Sequence, residues 1–140
     1  MYYIRLANKE DLPEILGCLN SLSDTTYDNF DKVAEAYDIS QNYSYIFVAM
    51  HCNSIVGTAK LVVEDKLSHG GSVVVHIEDV ATRHDYKGKG VGTELMAYLV
   101  SFAKTLSPYK IILRCKPHLI PFYEKFGFGK TDNIEMRLDF

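Results

Sequence analysis

Between a β-branched run and an amphipathic helix the chain carries Lys87-Gly88-Lys89-Gly90-Val91-Gly92-Thr93. The run before it, Val73-Val74-Val75-His76-Ile77-Glu78-Asp79-Val80-Ala81-Thr82, suits a pleated, half-buried surface and reads as a long strand. After it, Leu95, Met96, Leu99, Phe102, Ala103 and Leu106 recur at the three- and four-residue spacing of one helix face. A glycine-rich turn entering a helix exposes unpaired N–H groups at the positive end of the helix dipole. Such a turn holds a phosphate or pyrophosphate with main-chain atoms, so the sequence points to a phosphorylated cofactor.

The spacing argues against two nucleotide folds. A doubly wound dinucleotide sheet places G-x-G-x-x-G after its first strand, with an acid about 20 residues on. Here the spacing is G-x-G-x-G and several strands precede it. The G-x-x-x-x-G-K-[ST] pattern of a Walker loop is absent.

Composition narrows the classes further. The 140 residues suit one domain, 1–140, with no linker, repeat or low-complexity tract. A content of 47 % hydrophobic and 24 % charged residues is that of an ordinary globular chain. A net charge of −3 gives no general attraction for nucleic acid or an anionic membrane, so any phosphate must be met by a local cluster. No apolar stretch approaches the roughly 18 residues of a membrane span. Residues 1–5 lack the pattern of a signal peptide, and the last residues match no common retention signal. Cys18, Cys52 and Cys115 are scattered without a CxxC, which points to reduced thiols and a cytoplasmic location. Five dispersed histidines with no HxxxH pair give no metal site.

Along the chain, residues 3–6 read as a first strand. A helix follows to about residue 21, capped by Asn8 or Asp11, with Pro13 in its first turn. Residues 23–29 read as a loop and 30–37 as a short helix. Residues 45–50 and 55–63 read as a hairpin turning at His51-Cys52-Asn53-Ser54. The strand at 73–82, the glycine loop and its helix come next. They are followed by a strand at 110–114, a short helix at 121–126 and a last strand at 134–138. This order argues for an α/β sandwich around a mixed sheet.

Three features together resemble the GNAT superfamily of acetyl-CoA-dependent N-acetyltransferases. They are the basic residue and x-x-G-x-G of the loop, the run Phe122-Tyr123-Glu124-Lys125-Phe126-Gly127-Phe128, and the strand–hairpin–strand order upstream. Within it, the glucosamine-6-phosphate N-acetyltransferase branch is most similar. That likeness lies in His76-Ile77-Glu78-Asp79-Val80, in Tyr109-Lys110-Ile111-Ile112-Leu113 with Cys115, and in the same late run. The resemblance implies a mixed, mostly antiparallel sheet of six or seven strands flanked by four helices. It also implies a homodimer in which the last strand can cross to the partner. The implied reaction is direct acetyl transfer from acetyl-CoA to the 2-amino group of glucosamine 6-phosphate. Acetylation of another small amine or a protein N-terminus, or non-catalytic acetyl-CoA binding, are the alternatives.

The resemblance also implies roles. The CoA pyrophosphate would lie over the backbone of Lys87, Gly88, Lys89, Gly90, Val91, Gly92 and Thr93, where Lys87 is a point charge lacking the fork of the usual arginine. The pantetheine would run along Val80, Ala81 and Thr82, with a strand N–H near Val80 polarising the thioester. Tyr123 would protonate the leaving thiolate and Glu78 would orient or deprotonate the amine. Ser23, Lys66, His69, Asp79, Tyr109 and Lys110 would contact the sugar phosphate. Two positions depart from the branch. Arg114 replaces an acid, which leaves the base role to Glu78, water or a carbonyl, and assigns Arg114 to phosphate or CoA. Asp139 replaces an arginine, for which Arg137 on the same strand face would substitute, in the partner's site if the strand exchanges.

Overall fold

The computed structural model describes residues 1–23 and 29–140. β1 (Tyr3–Leu6) leads through one 3-10 turn into α1 (Leu12–Leu19), followed by α2 (Phe30–Ser40), β2 (Ser44–His51) and β3 (Ser54–Asp65). Then come β4 (Val73–Thr82), α3 (Val91–Thr105), β5 (Pro108–Leu113) and α4 (Ile120–Glu124). The strands form one sheet in chain order. β1 to β4 are antiparallel and β5 runs parallel to β4, the arrangement that a crossover through α3 permits and a hairpin does not. The turn between β2 and β3 places Cys52 and Asn53 at φ 49° and 64°, the left-handed pair that a tight hairpin needs.

Helices cover both faces. Phe47, Leu61, Val75 and Ile77 pack against Leu95, Met96, Leu99 and Ala103 of α3 on one face. Val48, Ile55 and Ala81 pack against Leu12, Ile15 and Cys18 of α1 on the other. Each fully buried aliphatic side chain contributes about 2 kcal/mol, so the sheet is the frame on which everything else is hung. Gly57 lets α3 sit close: a Cβ there would lie 2.5 Å from Val91 Cγ1 and 2.9 Å from Leu95 Cδ1.

Three expectations are corrected. Among the described residues the sheet has five strands rather than six or seven. Residues 134–138 are not a strand: Ile134, Met136 and Leu138 are 86 %, 92 % and 79 % exposed. A strand exists only by pairing with a neighbour, and this segment has none among the described residues.

A third correction concerns alternation along β4. Thr58 pairs with Ala81 and Lys60 with Glu78, so β4 carries one residue more than β3 between those pairs. The extra residue forms a bulge at Asp79, whose φ is 54°. It reverses the side-chain parity: Ile77 and Val80 both pack on the α3 face, and Ala81 turns to the α1 face. Glu78 therefore keeps His76 as a face-mate but loses Val80, with which simple alternation had paired it.

Candidate active site

The glycine loop enters α3 through Gly88 and Gly90, at φ 77° and 84°, a backbone that residues with a Cβ adopt at a cost. The Lys87 and Lys89 amides are engaged within the turn, donating to His84 C=O at 3.4 Å and Tyr86 C=O at 3.2 Å. Those of Gly88, Gly90, Val91, Gly92 and Thr93 have no hydrogen-bond acceptor among the described residues. They border a cleft of about 510 Å³, lined also by Val80, Thr82, Leu119, Phe122 and Tyr123. A row of unpaired amides at a helix N-terminus beside a slot is suited to a pyrophosphate. The structure thus brings together the loop, β4 past its bulge and Tyr123. Ala81 is not among the lining residues, and its side chain is buried under α1. The Lys87 and Lys89 side chains are not among the lining groups.

Beside the cleft the sheet opens. Pairing of β4 with β5 ends at Ile77 and Leu113, so from Glu78 to Thr82 one edge of β4 is free. A bulge beside a free edge leaves main-chain donors available to an extended ligand or a carbonyl oxygen. Tyr123 is 8 % exposed and meets Phe122 and Phe128 edge-on at 4.9 and 6.3 Å. Burial, assisted by Cys115, raises its pKa above the ordinary 10.0, so the phenol is a proton donor at neutral pH. Tyr123 also lines a second cavity, of about 1070 Å³, between β5, α4 and the C-terminal segment.

The acceptor-side residues fall into separate groups. Arg114, the first residue after β5, reaches Glu78 Oε2 at 3.4 Å and Glu135 Oε1 at 3.1 Å. Glu78, ahead of Glu135, strengthens its positive charge. Arg114 lines the second cavity and not the glycine-loop cleft. His69 stacks on Tyr109 at 4.2 Å, with Lys110 Nζ 5.5 Å from the same ring. Lys66 instead pairs with Glu64 at 3.3 Å, and His76 joins the same carboxylate at 2.9 Å. His76 and then Lys66 hold that carboxyl below its ordinary value. Ser23 is exposed, its N–H donating to Leu19 C=O at 3.4 Å, and residues 24–28 of the expected loop lie outside the described residues. Arg137 pairs with Asp139 at 2.7 Å in the exposed C-terminal segment. The bulge at Asp79 escaped the sequence reading, because its signal is a register mismatch with β3.

Among the described residues no group of three or more His, Cys, Asp or Glu side chains is placed to hold a metal, and no helix is long and apolar enough to cross a membrane.

The comparisons agree with this geometry. The model of the acetyltransferase (GNAT) family matches residues 10–128. A glucosamine 6-phosphate N-acetyltransferase of Trypanosoma brucei brucei is 32 % identical over 139 residues, 97 % of this chain and 94 % of that one. One of Schizosaccharomyces pombe is 34 % identical over 101 residues, 71 % of this chain and 90 % of its own. The crystal structure of a Trypanosoma brucei acetyltransferase superposes over 100 % of both chains with a TM-score of 0.91 at 31 % identity. On the family model and these relatives, the chain belongs to the GNAT acetyltransferase family.

Proposed function

We infer that the protein transfers the acetyl group of acetyl-CoA to the 2-amino group of glucosamine 6-phosphate. The observation that carries this reading is the bulge at Asp79 beside the gap between β4 and β5. It sets the loop cleft and Tyr123 on one face of the sheet and Glu78 on the other, with an open strand edge between.

The amides of Gly88 and Gly90 to Thr93 hold the CoA pyrophosphate, and Val80 to Thr82 run beside the pantetheine. The amine approaches from the Glu78 side and its lone pair attacks the thioester carbonyl carbon. A main-chain N–H at the bulge stabilises the developing oxyanion. The C–S bond breaks, Tyr123 protonates the departing sulfur, and the amine proton leaves toward Glu78, directly or through water. Arg114 orients Glu78, and its unused donors face an anionic acceptor. His69, Tyr109 and Lys110 form one part of the acceptor pocket, and Lys66 adds charge. Such cations favour a sugar phosphate over a polyamine.

The same reading covers the C-terminal segment. Ile134, Met136, Leu138 and Phe140 are exposed at alternate positions, with Glu135, Arg137 and Asp139 between them. That is the pattern of a half-buried strand, and in a homodimer it adds to the partner's sheet and brings Arg137 to the partner's acceptor pocket. The 140 residues act as one catalytic domain, and free Cys52 and Cys115, both exposed, suit the reducing cytoplasm.

CoA release with acetyl-CoA and a panel of amines tests the reading. Turnover with glucosamine 6-phosphate, and not with glucosamine or spermidine, is expected. Preference for spermidine would overturn it.

A further inference from the structure

The glycines that expose the loop's amides also make it costly to order, since each can take many backbone conformations when nothing restrains it. Binding is tighter when that ordering precedes the ligand. Two side chains outside the cleft, Tyr86 and Tyr2, converge on this loop. Tyr86 closes the 3-10 turn just before it, and its carbonyl accepts the Lys89 N–H at 3.2 Å. Its hydroxyl shares a 2.7 Å hydrogen bond with Nδ1 of His51, the last residue of β2. Its ring lies 5.1 Å from the Lys89 ammonium and 4.9 Å from the Arg83 guanidinium. From the N-terminus, Tyr2 Oη donates to Lys89 C=O at 2.7 Å, and the Tyr2 N–H donates to Glu94 Oε1 of α3 at 3.1 Å. Tyr2 also meets the His51 and Tyr86 rings edge-on at 5.7 and 6.5 Å.

We propose that Tyr86 is a positioning residue for the acetyl-CoA loop, anchored to the sheet by His51 and acting on Lys89 together with Tyr2. It holds the loop with its free amides turned to the cleft before the ligand arrives. Lys89 then serves as the handle by which the loop is gripped, its ammonium over Tyr86 and its carbonyl on Tyr2. The proposal rests on the reading of the cleft as the acetyl-CoA site.

The test combines calorimetric titration of CoA with steady-state kinetics on Tyr86→Leu, Tyr86→Phe, His51→Ala and His51→Asn. Losing ring and hydroxyl in Tyr86→Leu raises the CoA dissociation constant and the KM for acetyl-CoA about tenfold, with kcat and the acceptor KM within about twofold. Tyr86→Phe, which loses only the hydrogen bond, and His51→Ala, which also loses the ring contacts with Tyr2 and Tyr86, each weaken binding at least about threefold, and His51→Asn, whose side-chain amide stands where Nδ1 does, recovers part of it. Unchanged CoA binding in Tyr86→Leu and His51→Ala overturns the proposal, as does a parallel decline of kcat and both affinities. If Tyr86→Leu does not fold, Tyr86→Phe and the His51 pair decide by the same split. Wild-type protein that binds no CoA overturns the acetyl-CoA reading itself.

Discussion

On the glycine-loop side of β4 the groups facing the cleft are main-chain amides and a phenol that is 8 % exposed. On the other side Glu78 meets an arginine side chain that is 62 % exposed. The amides sit in a loop contacted by Tyr2 and Tyr86 and the phenol packs against Phe122 and Phe128, whereas the second set depends on ion pairs in solvent. An exposed ion pair contributes about 0–1 kcal/mol and is weakened by salt, while main-chain amides have no side chain to lose and carry no charge for salt to screen. The contrast teaches that a co-substrate of fixed shape is met by a rigid frame, and an acceptor by side chains that single substitutions alter.

The strongest way to break this contrast is Tyr123→Phe. It removes the proposed proton donor while keeping the ring in its aromatic pocket, and kcat is expected to fall about a hundredfold with the KM for acetyl-CoA nearly unchanged. A comparable rise in that KM would mean that the phenol belongs to the binding frame. Next in size is Gly57→Ala, which drives a Cβ against Val91 and Leu95. Overpacking of this kind costs about 1–3 kcal/mol, read as a lower denaturant midpoint. The displaced start of α3 should raise the KM for acetyl-CoA and leave the acceptor KM alone.

The pH dependence of stability sharpens the same comparison. Burial raises the Tyr123 pKa above 10.0, so the folded state favours the neutral phenol. Its contribution is complete below pH 10 and is lost as pH rises through the raised value. Denaturant midpoints at pH 9 and pH 11 should therefore converge in Tyr123→Phe relative to the parent chain. The smallest effect is expected on the exposed side. Arg114→Gln should raise the acceptor KM up to about fivefold, less in high salt, with CoA affinity unchanged. An effect on CoA affinity would move Arg114 to the cofactor side.

Much of the frame was visible before any coordinates. The β-branched run at 73–82 became β4 with those bounds, Pro13 sits in the first turn of α1, and Leu95, Met96, Leu99 and Ala103 form the buried face of α3. Those features are written in neighbouring residues, as periodicity and turn chemistry. The missing strand at 134–138 had the right pattern and no partner among the described residues, and a pattern alone makes no hydrogen bonds. The contact between Arg114 and Glu78 could not be read from their separation in the chain. It arises because β5 returns parallel to β4 and pairing stops one residue before both.

The order of residues by itself determined the glycine loop, the strand before it and the helix after it, because each follows from backbone freedom and side-chain spacing over a few positions. Only the assembled sheet decided which side of β4 each group faces. One surplus residue against β3 reverses every side chain beyond it, and that mismatch exists only between two strands already in register.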